Sequence, residues 1–550
     1  MSELLINTIR KIDLSNLHKL VGNVILKAIQ TVNKGEDETA LAEILVLKYG
    51  NLILNKKEIR LGILNSLSPA NAVSLCKLSG ISVDKDFKAY GELEQFFKNG
   101  YNEAKSKLLV DFLGLDESFY FKKIIDSRSE KEIITARFGE EVKILSYLHD
   151  YQKRVKDETM TRLFHVFEKS FFVQMPTGAG KTYTALECVV DLKRRPKALG
   201  EDKMPASDKF FVWMVDKNEL SEQALESFKK LWKIRGDHEV TAFRLFKDFE
   251  PDFRVEDGGV VFAGFDKFYS VLSNPMHKAY DSVKHLIQNS ELLIVDEAHH
   301  SIAETYFACI NAFRNVPAIK IMGLSATPGA KDNETTESLI ELYSSDKISI
   351  RDEQWNVVTD PILYLQQGGY LAYLKTELLE TGISVSQDNE DRLLDDLASN
   401  SDRNKKILEQ IKLADEAKEA TIVFACTLDH VYALLILCRS IGVEAKYIIG
   451  EVDQSGRLDI LQQFRDGEYN ILINLDILST GIDLPNINKV IIARPINSPN
   501  LISQILGRAL RGPKNGGNKL NTIINIKDNL INFPGTSFLY NYYQGAWDKI

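Results

Sequence analysis

Cysteine is scarce in this chain of 550 residues, which contains only five, and no two of them stand at C-x-x-C spacing. The odd number and the scattered positions argue against a disulfide framework, and the spacing argues against a zinc site. Each cysteine stands in an apolar stretch, so the sequence predicts buried, reduced thiols of a cytoplasmic protein at Cys76, Cys188, Cys309, Cys426 and Cys438.

Long apolar runs and an excess of positive charge are also missing. No run of about 18 apolar residues occurs, which argues against a membrane span, and the first residues lack the apolar core of a signal peptide. The 68 lysines and arginines are outnumbered by 77 aspartates and glutamates, which gives a net charge of −9. We therefore expect no membrane partner, and any contact with nucleic acid must come from a local groove.

The first part of the chain has helical periodicity. Apolar residues recur every three or four positions, most clearly over 14–32 and 38–54, as in helices that face a core. Basic and acidic residues are almost equal in number there, which argues against a basic DNA-binding arm. We predict a small, mostly helical domain over residues 1–135.

Short, uniformly apolar runs separated by helical stretches begin near residue 145. Such runs predict strands buried on both faces of a parallel α/β sheet, and they occur at 171–175, 210–215, 260–265, 291–296 and 319–326. A polar, acidic segment interrupts the pattern, which resumes at 421–425, 445–449, 469–475 and 488–494. The sequence predicts two tandem α/β lobes over 145–350 and 360–533, followed by a tail over 534–550.

A glycine-rich turn with the sequence MPTGAGKT follows the first of these strands, at 175–182. Backbone N–H groups in such a turn close around phosphate oxygens, and the following helix N-terminus adds its dipole. The turn has Met175 where the usual P-loop has glycine. We predict that Lys181 reaches the β- and γ-phosphates of ATP and that Thr182 binds Mg²⁺. The other predicted nucleotide-binding residues of the turn are Thr177, Gly178, Ala179 and Gly180.

Two adjacent carboxylates, Asp296 and Glu297, follow another apolar run. An aspartate at the carboxyl end of a buried strand is placed to bind Mg²⁺ beside a phosphate site. We predict this role for Asp296. Glu297 is predicted to be the general base that polarises the attacking water.

In their order, these motifs resemble those of the superfamily 2 helicases and translocases of the DEAD/DEAH group. The segment 148–152 resembles the family motif whose glutamine, here Gln152, reads adenine. The resemblance implies two RecA-like lobes and Mg²⁺-dependent ATP hydrolysis coupled to movement on nucleic acid. Motifs Ia, Ib, III, IV, V and VI resemble the segments 211–223, 260–267, 324–328, 421–426, 476–485 and 504–511.

The resemblance also implies roles for single residues. Arg508 and Arg511 would project from the second lobe and neutralise charge on the γ-phosphate. Gly481 and Asp483 would contact the nucleotide. The residues expected to couple hydrolysis to lobe movement are His299, Ser325, Ala326, Thr327 and Gln504.

Family analogy further implies a nucleic-acid track across both lobes. Contacts directed at the phosphate backbone predict weak sequence preference and strong salt dependence. Leu475 stands where many RNA helicases of the DEAD type have threonine, which favours DNA over RNA. The implied track residues are Lys217, Gly264, Lys267, Thr427, Ser479 and Thr480.

The string DEAHH at 296–300 and the segment 494–517 resemble DNA motors allied to type I and type III restriction subunits, with RadD-like and XPB-like proteins nearby. The chain departs from RadD in lacking a cysteine cluster. The resemblance implies a DNA helicase or translocase in repair or anti-phage defence. No nuclease motif is evident, so we expect residues 1–135 to bind a partner, such as a nuclease, or to gate the motor. An RNA helicase and an ATP-gated sensor or clamp are the alternatives.

Overall fold

The computed structural model describes residues 3–31, 37–83, 85–121, 128–136, 148–165, 169–194, 208–329, 333–382, 390–449, 454–475, 487–495, 505–507 and 509–526. The N-terminal unit, residues 3–121 with their gaps, is helical. Side chains at residues 13, 37, 68 and 102 cap α2, α4, α6 and α8 by accepting hydrogen bonds from the first turn. Its helices are α1 (Glu3–Ile9), α2 (Leu14–Val21), α3 (Asn23–Thr31), α4 (Glu38–Tyr49), α5 (Lys57–Asn65), α6 (Pro69–Leu78), α7 (Ala89–Lys98) and α8 (Glu103–Leu113).

The first lobe is built on a sheet of eight described strands. These are β1 (Lys131–Ile134), β2 (Ser170–Gln174), β3 (Phe210–Val215), β4 (Val240–Leu245), β5 (Gly259–Gly264), β6 (Ser290–Asp296), β7 (Lys320–Ser325) and β8 (Lys347–Ile348). Their spatial order is β1-β4-β5-β3-β6-β7-β2-β8. All pairs are parallel except β1 with β4.

Helices cover both faces of this sheet. On one face lie α9 (Asp150–Phe164), α10 (Lys181–Lys193) and α11 (Asn218–Arg235). The other face is covered by α12 (Phe265–Leu272), α13 (Tyr280–Gln288), α14 (Glu304–Arg314) and α15 (Asn333–Leu342). Strands β2, β3 and β5 are therefore buried along their whole length, as their uniformly apolar sequences predict.

The second lobe begins after α16 (Pro361–Gln367) and contains a sheet of six described strands, all paired in parallel. Their spatial order is β11-β12-β10-β13-β14-β9. The strands are β9 (Tyr373–Leu379), β10 (Thr421–Phe424), β11 (Ala445–Ile448), β12 (Ile471–Asn474), β13 (Lys489–Ile492) and β14 (Leu520–Ile526). Its helices are α17 (Glu390–Ser399), α18 (Ser401–Glu416), α19 (Leu428–Ser440) and α20 (Gln454–Arg465).

The N-terminal unit is divided between two cores. Helices α1 to α4 share one core with α17 to α19 of the second lobe, whereas α6 and α7 form a separate core with parts of α5 and α8. Helix α3 packs directly on α19, and Lys48 forms an ion pair of 2.7 Å with Asp429. As a result, α19 is buried at every position from His430 to Cys438.

The predicted fold class is confirmed, with two parallel α/β lobes and a helical N-terminal unit. All five cysteines lie within the described residues, where they are buried and form no disulfide, as the sequence predicted. One element differs from the expected helical span 1–135, because β1 pairs with β4 in the first sheet. Only Ile134 of this edge strand is buried, so the sequence has no uniformly apolar run there. Every helix in the described ranges is too short or too polar to cross a bilayer. The predicted tail lies outside the described residues.

Candidate active site

The glycine-rich turn joins β2 to α10 at the carboxyl edge of the first sheet. Gly178 and Gly180 have φ angles of 84° and 78°, in the left-handed region that favours glycine. A Cβ atom on Gly180 would overlap the amide of Gln152, so the close approach of these two residues also requires glycine. The turn lines a cleft of about 450 Å³ between the two lobes. Its size and its exposed backbone suit a nucleoside triphosphate.

The predicted carboxylates lie on the same cleft, where β6 ends. The Thr182 hydroxyl donates to Asp296 Oδ2 at 3.2 Å. Lys181 Nζ lies 3.3 Å from Glu297 Oε1 and 3.8 Å from Asp296 Oδ1. These hard oxygen donors fit Mg²⁺, which Asp296 and Thr182 would hold beside the phosphates that Lys181 is predicted to bind.

Burial and the neighbouring Lys181 shift the pKa values of these two carboxylates in opposite directions. Desolvation raises the pKa of Asp296 to about 6, against the opposing effect of Lys181. Burial also acts to raise the pKa of Glu297, but Lys181 opposes it through its charge and its hydrogen bond, and the net pKa lies below the usual value. Glu297 is therefore ionised near neutral pH, as a general base must be.

A chain of close polar contacts connects the carboxylates to the end of β7. His299 Nδ1 lies 2.9 Å from Ser325 Oγ and 3.4 Å from Glu297 Oε2. The Ser325 hydroxyl donates to the Thr327 carbonyl at 3.1 Å, and the Ala326 carbonyl accepts from Gln174 at 3.5 Å. Burial lowers the pKa of His299 to about 3, so the imidazole is neutral. Of the predicted coupling residues, His299 thus contacts Glu297 and Ser325 contacts His299, while Ala326 and Thr327 follow on the same segment.

Gln152 lines the cleft and also supports the glycine-rich turn. Its Oε1 accepts from the His149 backbone N–H at 2.9 Å, and its Nε2 donates to the Ala179 carbonyl at 3.0 Å. The Tyr151 hydroxyl donates to the same carbonyl at 2.9 Å. The start of α9 therefore fixes the shape of the turn, a role that the family motif alone did not indicate.

The second lobe closes the cleft from the opposite side. Gly507, Arg511 and Asn515 line it. A Cβ atom on Gly507 would overlap Thr177, so the lobes meet closely at this point. Arg457 of α20 also lies 3.5 Å from Glu219 of α11, across the two lobes. The structure thus brings Arg511 to the predicted site, whereas the other predicted residues of motifs V and VI lie outside the described residues: Ser479, Thr480, Gly481, Asp483, Gln504 and Arg508.

The predicted nucleic-acid track residues that the structure describes differ in their exposure and in the contacts they already make. Lys217 is exposed immediately before α11, where a phosphate has access. Gly264 is buried, and the Thr427 hydroxyl caps α19 by accepting from His430 N. Lys267 pairs with Glu250, a carboxylate that also contacts Lys278 at 2.8 Å. Of these four, Lys217 has the most open approach.

Two cleft residues without a predicted role, His149 and Asn515, contact each other across the lobes. His149 Nε2 lies 2.8 Å from Asn515 Oδ1, across a separation of 366 residues. Neither residue belongs to a predicted catalytic position, and a lone asparagine in a glycine-rich segment gives no signal of its own. Only the fold brings the two side chains together.

Known proteins share the two lobes of this chain. Residues 146–330 match the family described as type III restriction enzyme, res subunit, and residues 402–513 match the helicase conserved C-terminal domain. The putative ATP-dependent helicase IRC3 of Saccharomyces cerevisiae is 26% identical over 66% of this chain and 49% of its own length. The ATP-dependent RNA helicase dbp10 of Neosartorya fischeri is 30% identical over 23% of this chain and 14% of its own length. The chain thus spans half or less of these curated relatives.

A solved structure is also similar. It is the fragment of a putative HsdR subunit of a type I restriction enzyme from Vibrio vulnificus, with a TM-score of 0.44 and 17% identity. The match covers 69% of this chain and 63% of that one.

Proposed function

We propose that this chain, which belongs to superfamily 2 of the ATP-hydrolysing helicases, couples ATP hydrolysis to movement on DNA or to remodelling of DNA. One observation carries the proposal. The cleft between the lobes brings Lys181 and the two carboxylates at 296–297 from the first lobe opposite Arg511 of the second. Such an arrangement is complete only when the lobes are closed.

The residues of the first lobe supply the chemistry. The glycine-rich turn and Lys181 hold the β- and γ-phosphates, and Mg²⁺ at Asp296 and Thr182 would add charge neutralisation there. Glu297 is ionised and accepts a proton from the attacking water. Arg511 approaches from the second lobe and stabilises charge on the transferred group.

Coupling to DNA follows from the same arrangement. Hydrolysis releases the group that Lys181 and Arg511 hold jointly, so the lobes lose a shared ligand and separate. Alternating closure and opening moves backbone contacts on the two lobes relative to each other. The chain from Glu297 through His299 to Ser325 is the route by which the state of the phosphate reaches the segment after β7.

Two observations bear on the choice of nucleic acid. The family match of residues 146–330 to a restriction-enzyme subunit supports DNA. The match of a shorter segment to an RNA helicase supports RNA as the second candidate. We favour DNA because the first match covers residues 146–330, which are most of the ATP-binding lobe. On the same basis we propose a cytoplasmic role in DNA repair or anti-phage defence, with a protein partner, such as a nuclease, at the N-terminal unit.

ATP hydrolysis by the purified chain tests this proposal. The rate is measured alone and with single-stranded DNA, duplex DNA or RNA, at low and at moderate salt. DNA is expected to stimulate hydrolysis by at least about tenfold at low salt and clearly less at moderate salt, because phosphate contacts release counterions. Lys217→Ala should weaken this stimulation, whereas Lys233→Ala, an exposed lysine at the other end of α11, should not.

The outcomes separate the candidates. RNA-selective stimulation contradicts the DNA assignment and supports the second candidate. Stimulation by DNA without displacement of a paired strand or of a triplex-forming strand identifies an ATP-gated clamp instead of a motor.

A further inference from the structure

Asn515 of the second lobe reaches the part of the cleft beside Gln152. It follows Arg511 by four positions and is partly buried in the cleft wall. Two contacts orient its amide. Nδ2 donates to the Tyr370 carbonyl at 2.8 Å, and Oδ1 lies 2.8 Å from His149 Nε2. The first of these contacts requires an N–H, so the amide group cannot reverse without placing its oxygen against a carbonyl.

The partners of Asn515 are themselves held in place. The ring of Tyr370 lies 4.6 Å from that of His149 and 4.9 Å from that of Tyr151, measured between centroids. Lys514 Nζ lies 4.3 Å from the centroid of the Tyr370 ring. Backbone bonds from Gly512 and Lys514 to residues 369–370 fix the loop that carries Asn515. The amide is thus preorganised before any nucleotide enters.

A fixed amide can distinguish the two purines. An amide has two N–H donors and two acceptor lone pairs, and the contacts within the described residues use one of each. One donor and one acceptor therefore remain, in a fixed relative order. Adenine presents an amino donor beside a ring-nitrogen acceptor, which is the pairing that asparagine makes with adenine elsewhere. Guanine presents a carbonyl acceptor where adenine has that donor, so the same orientation leaves a group unpaired.

We propose that Asn515 reads the adenine edge of ATP, so that base recognition depends on the second lobe and is completed only when the lobes close. The inference rests on the proposed function, because it takes ATP as the nucleotide and places its base beside Gln152. Gln152 supports the turn and contacts the base from the first lobe, whereas Asn515 contacts it from the second. His149 and Tyr370 act as positioning residues, since they act through the amide of Asn515.

The test compares ATP with GTP. For the wild type, Asn515→Ala and the control Asn518→Ala, equilibrium binding of each nucleotide with Mg²⁺ is measured without nucleic acid, and kcat/KM is measured with it. Asn518 belongs to the same loop but donates to Ile487 and Asn521, outside the cleft. Asn515→Ala should reduce the preference for ATP by about tenfold or more, chiefly through weaker ATP binding, while Asn518→Ala keeps the preference. His149→Ala should reduce it less, because the bond to Tyr370 still orients the amide.

A purely structural role of Asn515 predicts a different result. Loss of a structural contact weakens ATP and GTP alike and leaves their ratio within about twofold of the wild type, which would overturn the inference. Equal binding of ATP and GTP by the wild type would overturn it as well. The binding data need no nucleic acid. If the wild type prefers ATP but no nucleic acid stimulates its hydrolysis, the proposed function is contradicted. The ratios of ATP to GTP binding then still decide the role of Asn515.

Discussion

The carboxyl edges of the two sheets carry opposite kinds of polar chemistry. In the first lobe, Lys181 lies within 3.8 Å of both Asp296 and Glu297, beside an open cleft. In the second lobe, His430 lies behind the end of β10, where it accepts from Cys426 N at 3.1 Å and contacts Asn404 Oδ1 at 3.0 Å. Burial holds the pKa of His430 well below its usual value, so it is neutral.

This difference separates chemistry from support. The charged groups of the first edge gain ligands when a triphosphate and a metal ion arrive, so that edge is built to react. The polar groups around His430 already hydrogen-bond to one another. This part of the second edge is therefore a rigid support for the second-lobe residues around it. The N-terminal unit adds to that base, because α3 packs against α19.

The largest loss is expected from the reactive edge. Lys181→Ala removes the cation that binds the β- and γ-phosphates, so ATP binding and turnover should fall together, with turnover reduced by about a hundredfold or more. Nucleotide titration and steady-state hydrolysis measure the two effects, and circular dichroism checks that the variant is folded. If Lys181→Ala kept the wild-type affinity for ATP, the glycine-rich turn would not be part of the ATP site.

The next largest effect is expected on stability, in the supporting region. Ile25 of α3 is fully buried in the core shared with the second lobe, and Leu93 of α7 is fully buried in the separate N-terminal core. Replacing either by alanine should cost about 3 kcal/mol of unfolding free energy locally. Hydrogen–deuterium exchange should rise in β10 and α19 for Ile25→Ala, and only in α5 to α8 for Leu93→Ala.

The smallest effect on stability is expected at Leu413 of α18, which is exposed and serves as the control. Its side chain is 55% exposed, so Leu413→Ala should change the unfolding free energy by less than about 0.5 kcal/mol. If Ile25→Ala changed the hydrogen–deuterium exchange of β10 and α19 no more than Leu413→Ala does, α3 would not be part of the second-lobe core.

Much of the site followed from local sequence, because its residues stand at the ends of recognisable strands. The apolar runs before residues 175 and 296 indicated buried parallel strands, and such strands place their carboxyl ends at one edge. Glycines at 178 and 180 indicated the left-handed turn that the structure has there.

Other features depend on partners that local patterns do not specify. The periodicity of α3 indicates an apolar face, but not that α19 covers it. Strand β1 is an edge strand with one buried residue, so it has no apolar run to recognise. The contact between His149 and Asn515 joins two polar residues from opposite lobes, and it forms only because the lobes close on each other.

Glu297→Gln tests the central claim most directly, because it changes the general base and keeps the size of the side chain. The measurement is a single-turnover hydrolysis assay on protein saturated with ATP, paired with a binding titration and with nucleic acid present. The account predicts ATP affinity within about threefold of the wild type and hydrolysis slowed by at least about a hundredfold. Hydrolysis near the wild-type rate would contradict the assignment of Glu297 as the base and of this cleft as the hydrolytic centre.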